Sequence, residues 1–127
     1  MTSTAQKPLL VVADDDRAER VRVEAELERR YGADYAVQGC ATAELKAVLE
    51  RARQGGAVVA VVLAAGEEGA NLLDGVRQLH PAARRGLLIP WRGWMDPALA
   101  GTVLRAMERG WIDLYVLRPT RRADEIV

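Results

Sequence analysis

Residues 9–16 read Leu9-Leu10-Val11-Val12-Ala13-Asp14-Asp15-Asp16, five apolar residues with no charge at alternate positions, stopped by three carboxylates. A strand covered on one face alternates apolar with polar, whereas an unbroken apolar run is how a strand covered on both faces reads. Residues 58–63, Val58-Val59-Ala60-Val61-Val62-Leu63, follow the same rule. Both runs are predicted to be central strands of a parallel sheet. Parallel neighbours need a long crossover connection, most often a helix, so the segments around these two runs have to supply helices.

They do. Over 18–31, Val23, Leu27 and Tyr31 recur every fourth residue, and Arg22 with Glu26 and Glu26 with Arg30 stand at helical pairing distance; this is a helix with a solvated face. Asp16 followed by Glu19 reads as a capping box at its start, and Gly32 as its stop. Residues 35–40 make an edge strand. A helix over 42–54 follows, with Leu45, Val48, Leu49 and Ala52 on one side and Gly55-Gly56 at its end. After the run at 58–63, Gly66-Glu67-Glu68-Gly69 reads as a loop, 72–79 as a short helix, Pro81 as a break and 86–89 as the fourth strand. Asp96-Pro97 starts a helix, because aspartate accepts from the free amides and proline at the first helical position gives up nothing. Leu99, Val103 and Met107 form its apolar stripe, Gly110 closes it, and 114–117 is the fifth strand. The order βαβαβαβαβ builds a doubly wound α/β domain spanning 1–127, with its site at the carboxyl ends of the strands. Ten residues, 118–127, follow the fifth strand, so the last helix is expected to be missing or short. One face of the sheet then keeps only the first helix, and dimerisation or a neighbouring domain is expected to cover the apolar surface beside it.

Composition narrows the partners. With 18 basic and 18 acidic side chains in 127 residues the formal charge is zero, so no long-range field favours nucleic acid or an anionic membrane. Neither is an expected direct partner. Cys40 is the single cysteine; it forms no internal disulfide and reads as a small core residue of a cytoplasmic protein. The apolar runs are strand-length, too short for a membrane span.

Residues 9–16 resemble the first strand and acidic pair of bacterial response-regulator receiver domains, and Leu114-Tyr115-Val116-Leu117-Arg118-Pro119 resembles their fifth strand, which ordinarily ends in Lys-Pro. The spacing between the two motifs matches that family over nearly the whole chain. Arg30-Tyr31-Gly32, Leu79-His80-Pro81-Ala82-Ala83-Arg84-Arg85 and Asp113-Leu114-Tyr115 look like receivers fused to thioredoxin-reductase-like flavoproteins. The resemblance implies a flavodoxin-like (CheY-like) five-stranded parallel sheet in the order 2-1-3-4-5. It also implies phosphoryl transfer: two acids holding Mg²⁺, an aspartate nucleophile after the third strand, a hydroxyl after the fourth and a lysine after the fifth, which together neutralise the transferred group.

By position, Asp14 and Asp15 keep the acidic pair. The nucleophile position falls at Ala64 or Ala65, with Ala65 preferred, and a methyl group forms no acyl phosphate. The hydroxyl position falls at Ile89. Arg118 replaces the lysine, and its planar fork suits a standing carboxylate pair, so it is expected to bridge Asp14 or Asp15; Pro119 after it follows a cis bond in the family. The segment after the third strand is shorter than the family pattern, and Glu67 or Glu68 would misplace the reacting oxygen. The expectation is therefore a degenerate acidic pocket of Asp14, Asp15 and Arg118, with no catalytic residue, metal or cofactor. Asp14-Asp15-Asp16 as a divalent-cation site is the alternative.

Trp91, Trp94, Trp111 and Tyr115 gather around the 96–109 helix and the fifth strand. Aromatics are favoured interface anchors, so they read as a docking surface, or else as ordinary packing at loop edges. His80 reads as a solvated loop residue and Arg84-Arg85 and Arg121-Arg122 as solvated surface. Three functions are open at this point: a phosphorylation-independent module acting by protein contact, as a homodimer or on a fused effector such as a flavin-dependent reductase; a small-ligand domain using the pocket at the strand carboxyl ends; and a phosphorelay receiver with an unusual acidic acceptor.

Overall fold

A computed structural model of the chain describes residues 6–89 and 97–117, with the backbone alone for 66–68, 116 and 117. Strands β1 (Leu9–Ala13), β2 (Ala36–Cys40), β3 (Val59–Ala65), β4 (Arg84–Ile89) and β5 (Leu114–Leu117) form one parallel sheet in the order β2-β1-β3-β4-β5. This is the parallel sheet the apolar runs predict, in the flavodoxin-like order that the resemblance implies. Ala13 lies opposite Cys40 and Ala64, Ala65 opposite Leu88, and Ile89 opposite Leu117. The strands thus end together, and the order reverses at β1, where ligand sites of such sheets form. The expected absence of a last helix concerns residues 118–127, outside the described residues.

Helix α1 (Arg17–Tyr31) is capped by Asp16, whose side chain accepts the Glu19 N–H at 3.1 Å. The other half of the predicted capping box is not made: the Glu19 carboxylate pairs with Arg22, and the Asp16 N–H donates to Asp14 Oδ1 at 3.0 Å. The expected Arg22–Glu26 pair gives way for the same reason, and Glu26 takes Arg29 and Arg30. Val23 is buried and Leu27 packs beside it, but Tyr31 is exposed. Steps of four residues overshoot a full helical turn by about 40°, so a long i, i+4 series drifts off the buried face.

The same drift corrects helix α4 (Pro97–Glu108). Val103 is buried and Leu99 packs on the core, yet the third contact is Ala106, while Met107 is 42% exposed. Pro97 opens that helix as predicted; Asp96, its expected cap, lies outside the described residues. Gly110, at φ +74°, ends the segment in the left-handed region. Helix α2 (Leu45–Gln54) buries Leu45, Val48, Leu49 and Ala52 as predicted and is led in by a 3₁₀ turn at Thr42–Glu44.

The loop expected at residues 66–69 is instead the first turn of α3 (Gly66–Leu79). A Cβ on Gly69 would lie 2.8 Å from the Ala64 carbonyl carbon. Gly69 is therefore a close-packing glycine that lets α3 begin directly on the end of β3, and not a turn glycine.

Val11, Leu45, Leu49, Val62, Leu73 and Leu87 belong to the main core, together with Val103 and Ala106 of α4. The opposite face holds a smaller cluster of Val12, Val23, Leu63, Ala65 and Leu88. Cys40 is in the main core as expected, and burial pushes its thiol up to about 11.

Two surface expectations are corrected. Arg85 is buried: its Nε lies 3.5 Å from Asp113 Oδ2, the same oxygen accepts the Arg85 N–H at 2.8 Å, and its Nη1 is buried without a hydrogen-bond partner among the described residues. His80 is half-buried, its Nε2 2.9 Å from the Leu49 carbonyl of α2. In both cases a polar group is drawn inward by a partner distant in sequence. No helix among the described residues is long and apolar enough to cross a membrane.

Candidate functional site

The three consecutive aspartates at the carboxyl end of β1 have three different environments. Asp14, 3% exposed, donates its N–H to the Cys40 carbonyl at 3.0 Å and accepts the Asp16 N–H on Oδ1, while its carbonyl accepts Arg20 Nη1 at 3.1 Å. Asp16 caps α1. Asp15 reaches across to the start of the α2 lead-in, where its two carboxylate oxygens accept the Thr42 N–H and the Thr42 hydroxyl, each at 2.8 Å. The first amides of a helical segment have no internal acceptor, and Ala41, preceding Thr42, has no side-chain oxygen to offer. Asp15 supplies that oxygen through space, and Glu44 accepts the Ala41 N–H at 3.0 Å. The Thr42 backbone amide, then its hydroxyl, hold the Asp15 carboxyl below its ordinary value; desolvation opposes them, and the Arg20 charge adds the smallest effect, downward.

The neighbouring strand ends are apolar. Ala65 is the last residue of β3, buried, and stands at the cap position of α3. Ile89 ends β4 with no exposed surface. A phosphoryl group bound between these strands would therefore meet a methyl group and a branched hydrocarbon. Glu67 and Glu68 belong to the first turn of α3; their side chains lie outside the described residues. The Mg²⁺ that the resemblance implies needs clustered hard oxygens. Among the described residues no three His, Cys, Asp or Glu gather to hold a metal ion, and both Asp15 oxygens already serve Thr42. These donors do not fit the ion.

Arg118, Trp91 and Trp94, with Pro119, lie outside the described residues. Trp111 is half-buried against the main core with the Arg109 guanidinium 5.2 Å from its ring centre, and Tyr115, on β5 opposite Leu87, is 39% exposed. Trp111 is thus partly packing, and Tyr115 is the more exposed of the two.

Sequence reading passed over Thr42, whose only signal is its place at the start of a helix that lacks a capping side chain. It also did not locate a sizeable cavity. This is a groove of about 660 Å³ on the α1 face, lined by Leu10, Leu27, Tyr31, Val61, Leu63, Arg84, Leu88 and Leu114 among others. A smaller one of about 330 Å³ lies between α2 and α3.

No protein-family model matches the chain, and no curated protein matches it. Solved structures do. The crystal structure of adenylate cyclase from Rhodopirellula baltica superposes with a TM-score of 0.66 at 18% identity, covering 94% of this chain and 82% of that one. A LuxR family DNA-binding response regulator from Silicibacter pomeroyi gives 0.62 at 17% identity, over 94% and 85% of the two chains. The isolated REC domain of RcsB from Salmonella enterica serovar Typhimurium, solved with phosphomimetic BeF3−, gives 0.61 at 16% identity, over 94% and 83%. The fold is that of receiver domains.

Proposed function

We propose that this chain is a receiver-like regulatory module that works by protein contact and is not switched by phosphorylation. The observation that carries the reading is Ala65: the last residue of β3, where the resemblance puts the phosphoryl-accepting carboxylate, is a buried alanine with α3 starting directly upon it. Ile89 at the hydroxyl position and the attachment of Asp15 to Thr42 support it independently. The acidic residues at this edge then act as structural caps: Asp15 ties the β1 end to α2, as Arg118 is proposed to tie β5 to the same edge. Tyr115, Trp111, Trp91 and Trp94 are the proposed docking surface, and the partner is a second copy or a fused effector. The likeness to receivers joined to thioredoxin-reductase-like flavoproteins nominates a flavin-dependent reductase as that effector. We assign no catalytic residue, cofactor or nucleic-acid contact to the chain, and place it in the cytoplasm.

Incubation with acetyl phosphate and Mg²⁺ followed by intact-mass measurement tests the proposal. The expected spectrum is that of the unmodified chain; a phosphoryl adduct would overturn the reading and return the phosphorelay receiver with an unusual acidic acceptor.

A further inference from the structure

Helix α4 carries two apolar stripes where a helix packed on one side of a sheet needs one. Leu99, Val103 and Ala106 meet the core. Leu104 and Met107 are 58% and 42% exposed, and residues three apart are neighbours on a helix surface. Glu108 lies one turn beyond Leu104, is exposed, and makes no ion pair among the described residues.

The groove on the other side of the sheet has the reciprocal character. Partly exposed Leu27, Val61 and Leu114 line it over a floor of buried Leu10, Leu63 and Leu88; Glu26 and Arg30, paired with each other, also line it, and so does Arg84, which is exposed and lacks an ion-pair partner among the described residues. Its volume of about 660 Å³ is ample for two unbranched or γ-branched side chains. Two adjacent apolar anchors on an amphipathic helix are the pattern by which grooves recognise helices, and Arg84 and Glu108 bring opposite charge to the edge of such a contact.

We infer that the groove receives helix α4 of a second copy of this chain, with Leu104 and Met107 seated against Leu27, Val61 and Leu114 and Glu108 facing Arg84. The inference rests on the protein-contact reading above and names its partner. Because α4 and the groove lie on opposite faces of one sheet, the contact is heterologous: each copy offers α4 to one neighbour and its groove to another. Such contacts build rings or open filaments and do not stop at a two-fold dimer.

Sedimentation velocity on the full chain over a concentration series is the test. The wild type is expected to form species larger than a dimer as concentration rises. Leu104→Glu with Met107→Glu removes the knob, and Arg84→Glu, an exposed change that leaves the core untouched, alters the groove; each is expected to weaken association at least tenfold. An equimolar mixture of the two variants retains one intact knob and one intact groove, so it is expected to give a heterodimer that grows no further. Arg84→Glu combined with Glu108→Arg in one chain is expected to restore assembly. A wild type that stays monomeric throughout, an assembly indifferent to Arg84→Glu, or a mixture that stays monomeric would each overturn the contact. Intact mass after acetyl phosphate keeps the two proposals apart: an adduct sinks the phosphorylation-independent reading alone, and an unmodified monomer sinks this contact alone.

Discussion

The two faces of the sheet are built to different standards. On one, α2, α3 and α4 close over a core in which Leu45, Leu49, Leu73, Leu87 and Ile89 are almost wholly removed from water. On the other, α1 is the single helix among the described residues, and it holds the sheet through Val23 and Leu27 and through Arg20 on the Asp14 carbonyl. Much of the rest of α1 is charged, and its ion pairs are between partly or largely exposed partners, which contribute little to stability. Cohesion is concentrated on the first face. On the second, residues of β1, β3, β4 and β5 line the groove that the proposed contact would use.

Substitutions in the two faces should separate most widely. Leu73→Ala, in the three-helix core, is expected to lower unfolding free energy by about 2–5 kcal/mol, and Leu27→Ala, beside the groove, by less than half as much; equal shifts in the urea midpoint would remove the asymmetry. Next comes the buried charge on the strong face. Asp113→Ala strips Arg85 of its carboxylate and should destabilise by about 1–3 kcal/mol, a figure kept low because Asp113 is itself 39% exposed at its side chain. Arg85→Met should recover much of that loss, since breaking a buried pair is worse than replacing it; a double-mutant cycle with no coupling would show that the pair is incidental.

The link between the faces is Asp15 on Thr42, and it titrates. A carboxyl held below its ordinary value stabilises the fold above the unfolded-state pKa, and that contribution is lost as pH falls through the lower folded value. Urea midpoints followed from neutral pH into the acid range should therefore fall more steeply for wild type than for Asp15→Asn or Thr42→Val. Parallel curves would mean that the contact carries no stability. The smallest effect is at Cys40. With its thiol raised from 9.0 to about 11 by burial, alkylation of the folded chain should be slow at neutral pH and become fast in urea. As pH rises above 9.0 toward 11 the unfolded chain ionises first, so this buried thiol withdraws stability there; rapid labelling of the native protein would place it at the surface.

Sequence reading succeeded where local pattern and burial agree, and the misses share a cause. Val23 and Val103 were legible as helix contacts, but Tyr31 and Met107 were not misread at random: a fixed step of four outruns the helical period. Gly69 reads as a loop glycine in the sequence, because a packing glycine and a turn glycine look alike until the atom facing the missing Cβ is known.

What the chain order determined by itself is a parallel sheet of five strands, since burial on both faces leaves unbroken apolar runs; the strand order came from the resemblance to receiver domains, and that Ala65 carries no carboxylate and Ile89 no hydroxyl is plain from the residues themselves. What only the tertiary structure decided is which polar groups meet. Asp15 finds Thr42 at a separation of 27 residues and Asp113 finds the Arg85 amide at 28, and the α1 groove exists only once residues from β1, β3, β4 and β5 stand side by side. Hydrogen bonds and cavities belong to neighbours in space, and a parallel sheet brings together residues that local sequence patterns keep apart.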